Sequence, residues 1–216
     1  MRICPTSSKA VGAVGAVGAV RAVKAVKAVG FWWLTAGPAV AAATAQTLTQ
    51  DEALRLAFPP PATIERRTAF LTEEQLGRAK ALAGPDVDVT SRVVTYYVGH
   101  SCGPSAPCGR SGRPLGVAYF ERHRVRTLNE VLMFVVSPEG RITRVDILEF
   151  LEPPEYRASP RWLGQLLGRG LDGELSLKGA VVNLTGATLT SRAITRASRR
   201  VLALHQVIAP LKTPSP

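Results

Sequence analysis

The run Val131-Leu132-Met133-Phe134-Val135-Val136 contains no polar residue. A half-exposed strand or surface helix alternates apolar and polar positions, so an unbroken short run reads as a central strand covered on both faces. Ser137-Pro138-Glu139-Gly140 follows, with Pro and Gly at favoured turn positions, and residues 141–150 return as a partner strand. Both faces of such a hairpin need cover, and the rest of the chain offers it. Residues 51–58 read as a short helix stopped by Pro59-Pro60-Pro61, and residues 63–71 as extended. Thr72-Glu73-Glu74-Gln75 is a capping box opening a helix that ends near Gly84-Pro85. Residues 91–98 and 115–120 are β-branched and aromatic, hence strands, separated by a Gly/Ser/Pro-rich loop over 99–114. Residues 161–167 suggest a further short helix. This order predicts a single α+β domain with a mainly antiparallel sheet and flanking helices. No Gly-x-Gly-x-x-Gly follows a strand, so nothing supports a Rossmann dinucleotide site.

The last helix is the clearest. Ile194, Ala197, Val201, Leu204 and Ile208 recur at spacings of three and four, with Arg192, Arg196, Arg199 and Arg200 between them. It is entered through Leu184-Thr185-Gly186-Ala187-Thr188-Leu189-Thr190-Ser191, a small, hydroxyl-rich turn. A helix start presents unpaired N–H groups and a partial positive charge, which suit a phosphate. Gly186 and Ala187 allow close approach to the backbone. Thr188, Thr190 and Ser191 carry hydroxyls that can cap the helix, bond an anion or be modified; Thr190 or Ser191 is the candidate N-cap.

The string from Thr185 to Ser191 resembles the [S/T]-G-A-T-x-T-S motif of FMN-binding domains, the family of the C subunit of the sodium-pumping NADH:quinone reductase and the G subunit of the Rnf complex. The resemblance covers roughly residues 90–208. It implies an FMN cofactor, and it implies that Thr188 carries the flavin by a phosphoester bond installed from FAD by a flavin transferase. Thr185, Gly186, Ala187, Leu189, Thr190 and Ser191 would surround the phosphate. The family carries Asp three residues before the motif; this chain has Val182 there, followed by Asn183. An electron-transfer flavoprotein working with a membrane or periplasmic redox partner is implied, rather than an enzyme with its own turnover. Two alternatives stand beside it: a flavin-free structural or binding domain of the same fold, and a basic protein that binds anionic surfaces.

Secondary candidates follow from what a flavin needs. Glu152-Pro153-Pro154-Glu155-Tyr156 stands where related domains often have Glu-Thr-Pro-Gly near the flavin, and matches it at the Glu and the second Pro. Tyr156 and Trp162 could stack on the ring or pack in the core. Arg124 or Arg126 could pair with the phosphate. His123 could line the site, or all three could belong to a solvated strand end. His100 and His205 have no catalytic neighbours in sequence. His205 falls in the last helical turns, where a cation is favoured.

The N-terminal region reads as a leader. Residues 9–29 repeat Lys/Gly/Arg-Ala-Val with a period of three, which fits neither helix nor strand. An uncharged run over 28–45 follows and ends in Ala43-Thr44-Ala45, the layout of a secretory signal peptide. An uncleaved membrane anchor is the alternative. The expected organisation is a signal or low-complexity segment over 1–45, an extension over 46–89, the FMN-binding domain over 90–208 and a disordered tail over 209–216. Export to the periplasm or cell surface follows. Five of the 27 basic residues lie in the first 45 positions, which hold no acid, so removing them lowers the formal charge from +11 to +6. No zinc-finger spacing or RNP-like string points to nucleic acid. Cys102 and Cys108 suit a disulfide in an oxidising compartment, with two free thiols as the alternative.

Overall fold

The computed structural model describes residues 48–103 and 112–211. The predicted leader, Cys108 and residues 212–216 lie outside the described residues. The five strands are β1 (Thr63–Phe70), β2 (Val93–His100), β3 (Pro114–Arg124), β4 (Asn129–Val136) and β5 (Ile142–Phe150). They form one sheet in sequence order, every neighbouring pair antiparallel. Helix α1 (Gln50–Ala57) precedes β1, and α2 (Glu73–Ala83) joins β1 to β2. After β5 come a 3-10 turn at Pro154–Tyr156, the short α3 (Pro160–Leu163) continued directly by a 3-10 turn at Gly164–Leu166, and the long α4 (Thr188–Ile208). The α+β expectation holds. The helix predicted over 161–167 is divided between α3 and the 3-10 turn that continues it.

The starts of α1 and α2 have an identifiable local cause. Thr49 caps α1 and Thr72 caps α2, each through a complete capping box with Glu52 and Gln75 respectively. Gly84 ends α2 at φ +98°, a conformation that excludes most side chains.

The apolar run 131–136 is covered on both sides, as its composition requires. Leu132, Phe134 and Val136 face a large core with Val117, Tyr119, Ile142 and Ile147, closed by α2 and α4. Met133 and Val135 face the other way, into a smaller core with Ala118, Leu148 and the α1 side of the molecule (Ala53, Leu54, Phe58). Gly99 of β2 lets that second core close. A Cβ there would lie 2.3 Å from the ring of Phe58.

Residues 48–89 contribute to both layers: α1 to the small core, β1 to the sheet edge and α2 to the large core. Arg199 of α4 reaches across to donate to the carbonyls of Ala83 at 2.7 Å and Asp172 at 2.6 Å, binding the end of α2 to α4. Arg200 donates to the carbonyl of Asp88 at 2.5 Å and pairs with Glu121. Two of the four arginines that separate the apolar positions of α4 are thus half-buried clamps, while Arg192 and Arg196 are exposed. At the other end of the chain Pro210 is buried and accepts a bond from Arg67 at 3.2 Å. Among the described residues no helix is long and apolar enough to cross a membrane.

Candidate functional site

The turn before α4 is built by one residue. Gly186 has φ +80°, and the Ala187 N–H donates to the Leu184 carbonyl at 3.0 Å, closing a four-residue turn with its positive-φ position at Gly186. The chain reverses there and enters α4 at Thr188, with Ala187 as the N-cap residue. No side chain caps this helix, and its first turn holds no acidic residue. The expectation that Thr190 or Ser191 caps it is therefore not met. Both are buried and bonded elsewhere: Thr190 Oγ1 donates to the Tyr156 carbonyl at 2.8 Å, and Ser191 Oγ makes a short bond to Asn183 Oδ1.

The seven motif residues divide by burial. Thr185, Gly186, Thr188 and Leu189 are exposed; Ala187, Thr190 and Ser191 are buried. Thr188 Oγ1 accepts a bond from Asn183 Nδ2 at 3.1 Å. The loop before the turn is fixed from below. The Trp162 indole N–H donates to the Val182 carbonyl at 2.8 Å, and the Val182 N–H donates to Gln165 Oε1 at 2.9 Å. Val182 itself is 70% exposed. Trp162 is a buried core residue rather than a wall open to a ring.

Tyr156 is different. It is half-buried, its carbonyl is held by Thr190 in the first turn of α4, and the Arg126 guanidinium lies over its ring at 4.7 Å from the centroid. Arg126 is thus connected to the helix start through Tyr156 and Thr190. Its backbone is set by Glu152, one of whose carboxylate oxygens accepts the N–H groups of Arg126, Thr127 and Leu128 at 3.1, 2.7 and 2.8 Å. Those bonds, the one from Leu128 first, hold the Glu152 carboxyl below the usual carboxylate range. Glu152, the residue matching the related Glu-Thr-Pro-Gly, organises the β3–β4 turn.

His123 is not a solvated strand end. Its side chain is 9% exposed and its Nε2 lies 3.1 Å from Glu130 Oε2, a carboxylate with no exposed surface. His123, Arg124, Leu189, Arg192 and Arg196 line a shallow groove beside the first turns of α4. His205 does not act as a cation at the helix end. Burial pushes it down to about 4, so the imidazole is neutral near pH 7. Its Nδ1 lies 3.0 Å from Tyr119 Oη, and burial raises the Tyr119 phenol well above its ordinary value, so two neutral groups share this hydrogen bond, its direction set by the imidazole tautomer. His100 Nδ1 lies 3.2 Å from the Gly112 carbonyl in the interior. Cys102 is disulfide-bonded. No cluster of His, Cys, Asp and Glu suited to a metal occurs among the described residues.

Sequence reasoning missed Asn183 as a site residue. A signal was present, since Asn beside a glycine turn commonly uses its side chain to bond nearby polar groups.

The fold and this corner define the class: an α+β domain whose last helix opens, without a side-chain cap, on an exposed threonine after a glycine turn. Residues 129–203 match the FMN-binding domain family, which takes in β4, β5, Glu152, Asn183 and the whole Thr185–Ser191 string. FMN is the cofactor this match supports. No curated protein and no solved structure matches the chain significantly. The residues present fit a phosphate: exposed hydroxyls, helix amides without a side-chain acceptor, an amide donor on Asn183, and no acid in the first turn.

Proposed function

We propose that the protein is an exported electron-transfer flavoprotein carrying FMN by a phosphoester on Thr188. The observation that supports this best is the exposed Thr188 hydroxyl at the uncapped start of α4, inside the segment that matches the FMN-binding family. In the attachment step Thr188 Oγ1 forms a bond to the flavin-side phosphorus of FAD. The bond from that phosphorus to AMP breaks, AMP departs, and the hydroxyl proton goes to solvent. No oxidation accompanies the step. A flavin transferase is the partner it requires.

Bound flavin supplies one- and two-electron redox chemistry. This chain's residues hold the phosphate end and shape the surroundings. Gly186 gives the backbone its turn, and Ala187 packs beneath the helix start. Thr190 and Ser191 fix Tyr156 and Asn183 against it, and Arg126 is held over Tyr156 within the same corner.

Magnitudes favour a covalent bond. A helix terminus stabilises a nearby charge by about 0.3–1 kcal/mol. Nanomolar retention needs roughly 12 kcal/mol. A carrier outside the cytoplasm, where free flavin is scarce, keeps its cofactor most securely through a bond. Membrane or periplasmic redox proteins are the partners that such a carrier would serve.

One observation favours a second reading, a flavin-free domain of this fold. The position where the family carries Asp is occupied by Val182, exposed and apolar. Purification from a host expressing a flavin transferase distinguishes the two. Yellow protein whose absorbance stays with the acid-precipitated chain supports attachment. Colour released into the supernatant supports non-covalent FMN, and colourless protein supports the flavin-free domain.

A further inference from the structure

Asn183 lies five residues before Thr188, on the far side of the Gly186 turn, and is exposed. An asparagine beside a helix start ordinarily accepts a backbone N–H as a cap. Asn183 does not, because α4 has no side-chain cap. It presents a donor instead. Its Nδ2 donates to Thr188 Oγ1 at 3.1 Å, while its Oδ1 is taken by the short bond from Ser191 Oγ.

Ser191 has no exposed surface. Its Oγ lies 3.2 Å from the carbonyls of both Ala187 and Thr188, and the Leu184 N–H donates to it at 3.4 Å. A buried hydroxyl thus sets the orientation of an exposed amide, and the amide sets an exposed hydroxyl. A threonine in a helix divides between two χ1 wells unless a bond selects one, and at the first helical position Thr188 has no carbonyl one turn back within the helix to bond. The bond from Asn183 selects the well and occupies one acceptor site of Oγ1. It leaves the other acceptor site and the hydroxyl proton available.

We propose that Asn183 is a positioning residue for attachment at Thr188, with Ser191 as its anchor. The inference rests on the reading of Thr188 as the flavin acceptor. Asn183 holds the nucleophilic oxygen in one orientation toward the incoming phosphorus, and keeps a neutral donor beside the ester oxygen once the bond has formed. The pair performs, without a carboxylate, a local ordering of the acceptor next to Val182.

The test follows attachment to the purified full chain with a flavin transferase and FAD, for the wild type, Asn183→Ala, Asn183→Leu and Thr188→Ala. Misplacing a nucleophile slows the chemical step, so kcat for Asn183→Ala should fall between about ten- and a hundredfold with KM for the chain unchanged. Asn183→Leu, which keeps bulk and loses the donor, should behave alike, and the melting temperatures of both should stay close to wild type because the side chain is exposed. Wild-type rates in both variants overturn the role of Asn183 and leave the Thr188 reading standing. A slowdown confined to KM overturns it as well, since that describes docking. A wild-type chain that accepts no flavin overturns the Thr188 reading and the role of Asn183 with it.

Discussion

The indole N–H of Trp162 donates to the carbonyl of Val182 at 2.8 Å, tying the strand of chain that enters the Gly186 turn to the core beneath it. A net hydrogen bond of this kind contributes about 0.5–1.5 kcal/mol. Trp162→Phe keeps most of the apolar packing and removes the donor. It should lower unfolding stability by roughly 1–2 kcal/mol in a denaturant titration, the bond and some lost volume together. Amide exchange over residues 182–187 should also accelerate. Unchanged exchange there would show that Gln165 alone fixes the loop.

The approach of Phe58 to Gly99 gives a second prediction. Gly99→Ala places a methyl against the Phe58 ring, closer than atoms pack, so the ring or the backbone beside it must move. Overpacking of a closed core costs about 1–3 kcal/mol. The midpoint of denaturant unfolding should fall accordingly, and Phe58→Leu in the same chain should recover part of the loss. Full stability in the single variant would contradict the tight contact.

His205 makes stability depend on pH. Its folded value, about 4, lies below the ordinary histidine value of about 6.5 because burial disfavours the charged ring. The unfolded chain therefore binds a proton first as pH falls. The contribution of the neutral ring is fully present above about pH 6.5 and is lost as pH drops toward 4. The full effect is at most roughly 3 kcal/mol. Unfolding free energies of the wild type at pH 7 and pH 5 should differ more than those of His205→Gln. Parallel curves for the two would contradict the assignment of a neutral buried ring.

Glu152 should act in the opposite sense. Its carboxyl is held low by the N–H groups it accepts, so its contribution is present above the ordinary glutamate value and is lost as pH falls through its folded value. Glu152→Gln retains shape and weakens the acceptor. Amide exchange at Arg126, Thr127 and Leu128 should quicken in this variant at neutral pH, and the arrangement of Arg126 over Tyr156 should loosen. Protection of those three amides at the wild-type level would contradict the carboxylate as their principal acceptor.

Local signals carried most of the fold. The unbroken 131–136 run and the Ser137–Gly140 turn placed β4 and β5, because burial on both faces leaves a mark in composition. The capping box at Thr72 and the three-and-four spacing from Ile194 placed α2 and α4, since caps and amphipathic faces are local. What escaped was long-range. Arg199 and Arg200 look like any solvated arginines in sequence, yet their partners lie on Ala83, Asp88, Asp172 and Glu121, set by packing between distant segments. His205 looked like a helix-end cation because nothing nearby in sequence shows Tyr119 beside it. At the site, the motif string was plain, but the division of its hydroxyls into exposed Thr188 and buried Thr190 and Ser191 depends on Tyr156 and Asn183, which only the fold brings there.

Attachment of FMN turns on the chemistry of one oxygen, Thr188 Oγ1. The tryptic peptide running from Gly179 to Arg192, isolated from the chain expressed with a flavin transferase, contains Thr188 and should be recovered with the added mass of FMN less one water, located on Thr188 by fragmentation. The same peptide at its unmodified mass, from protein lacking flavin absorbance, would contradict the account.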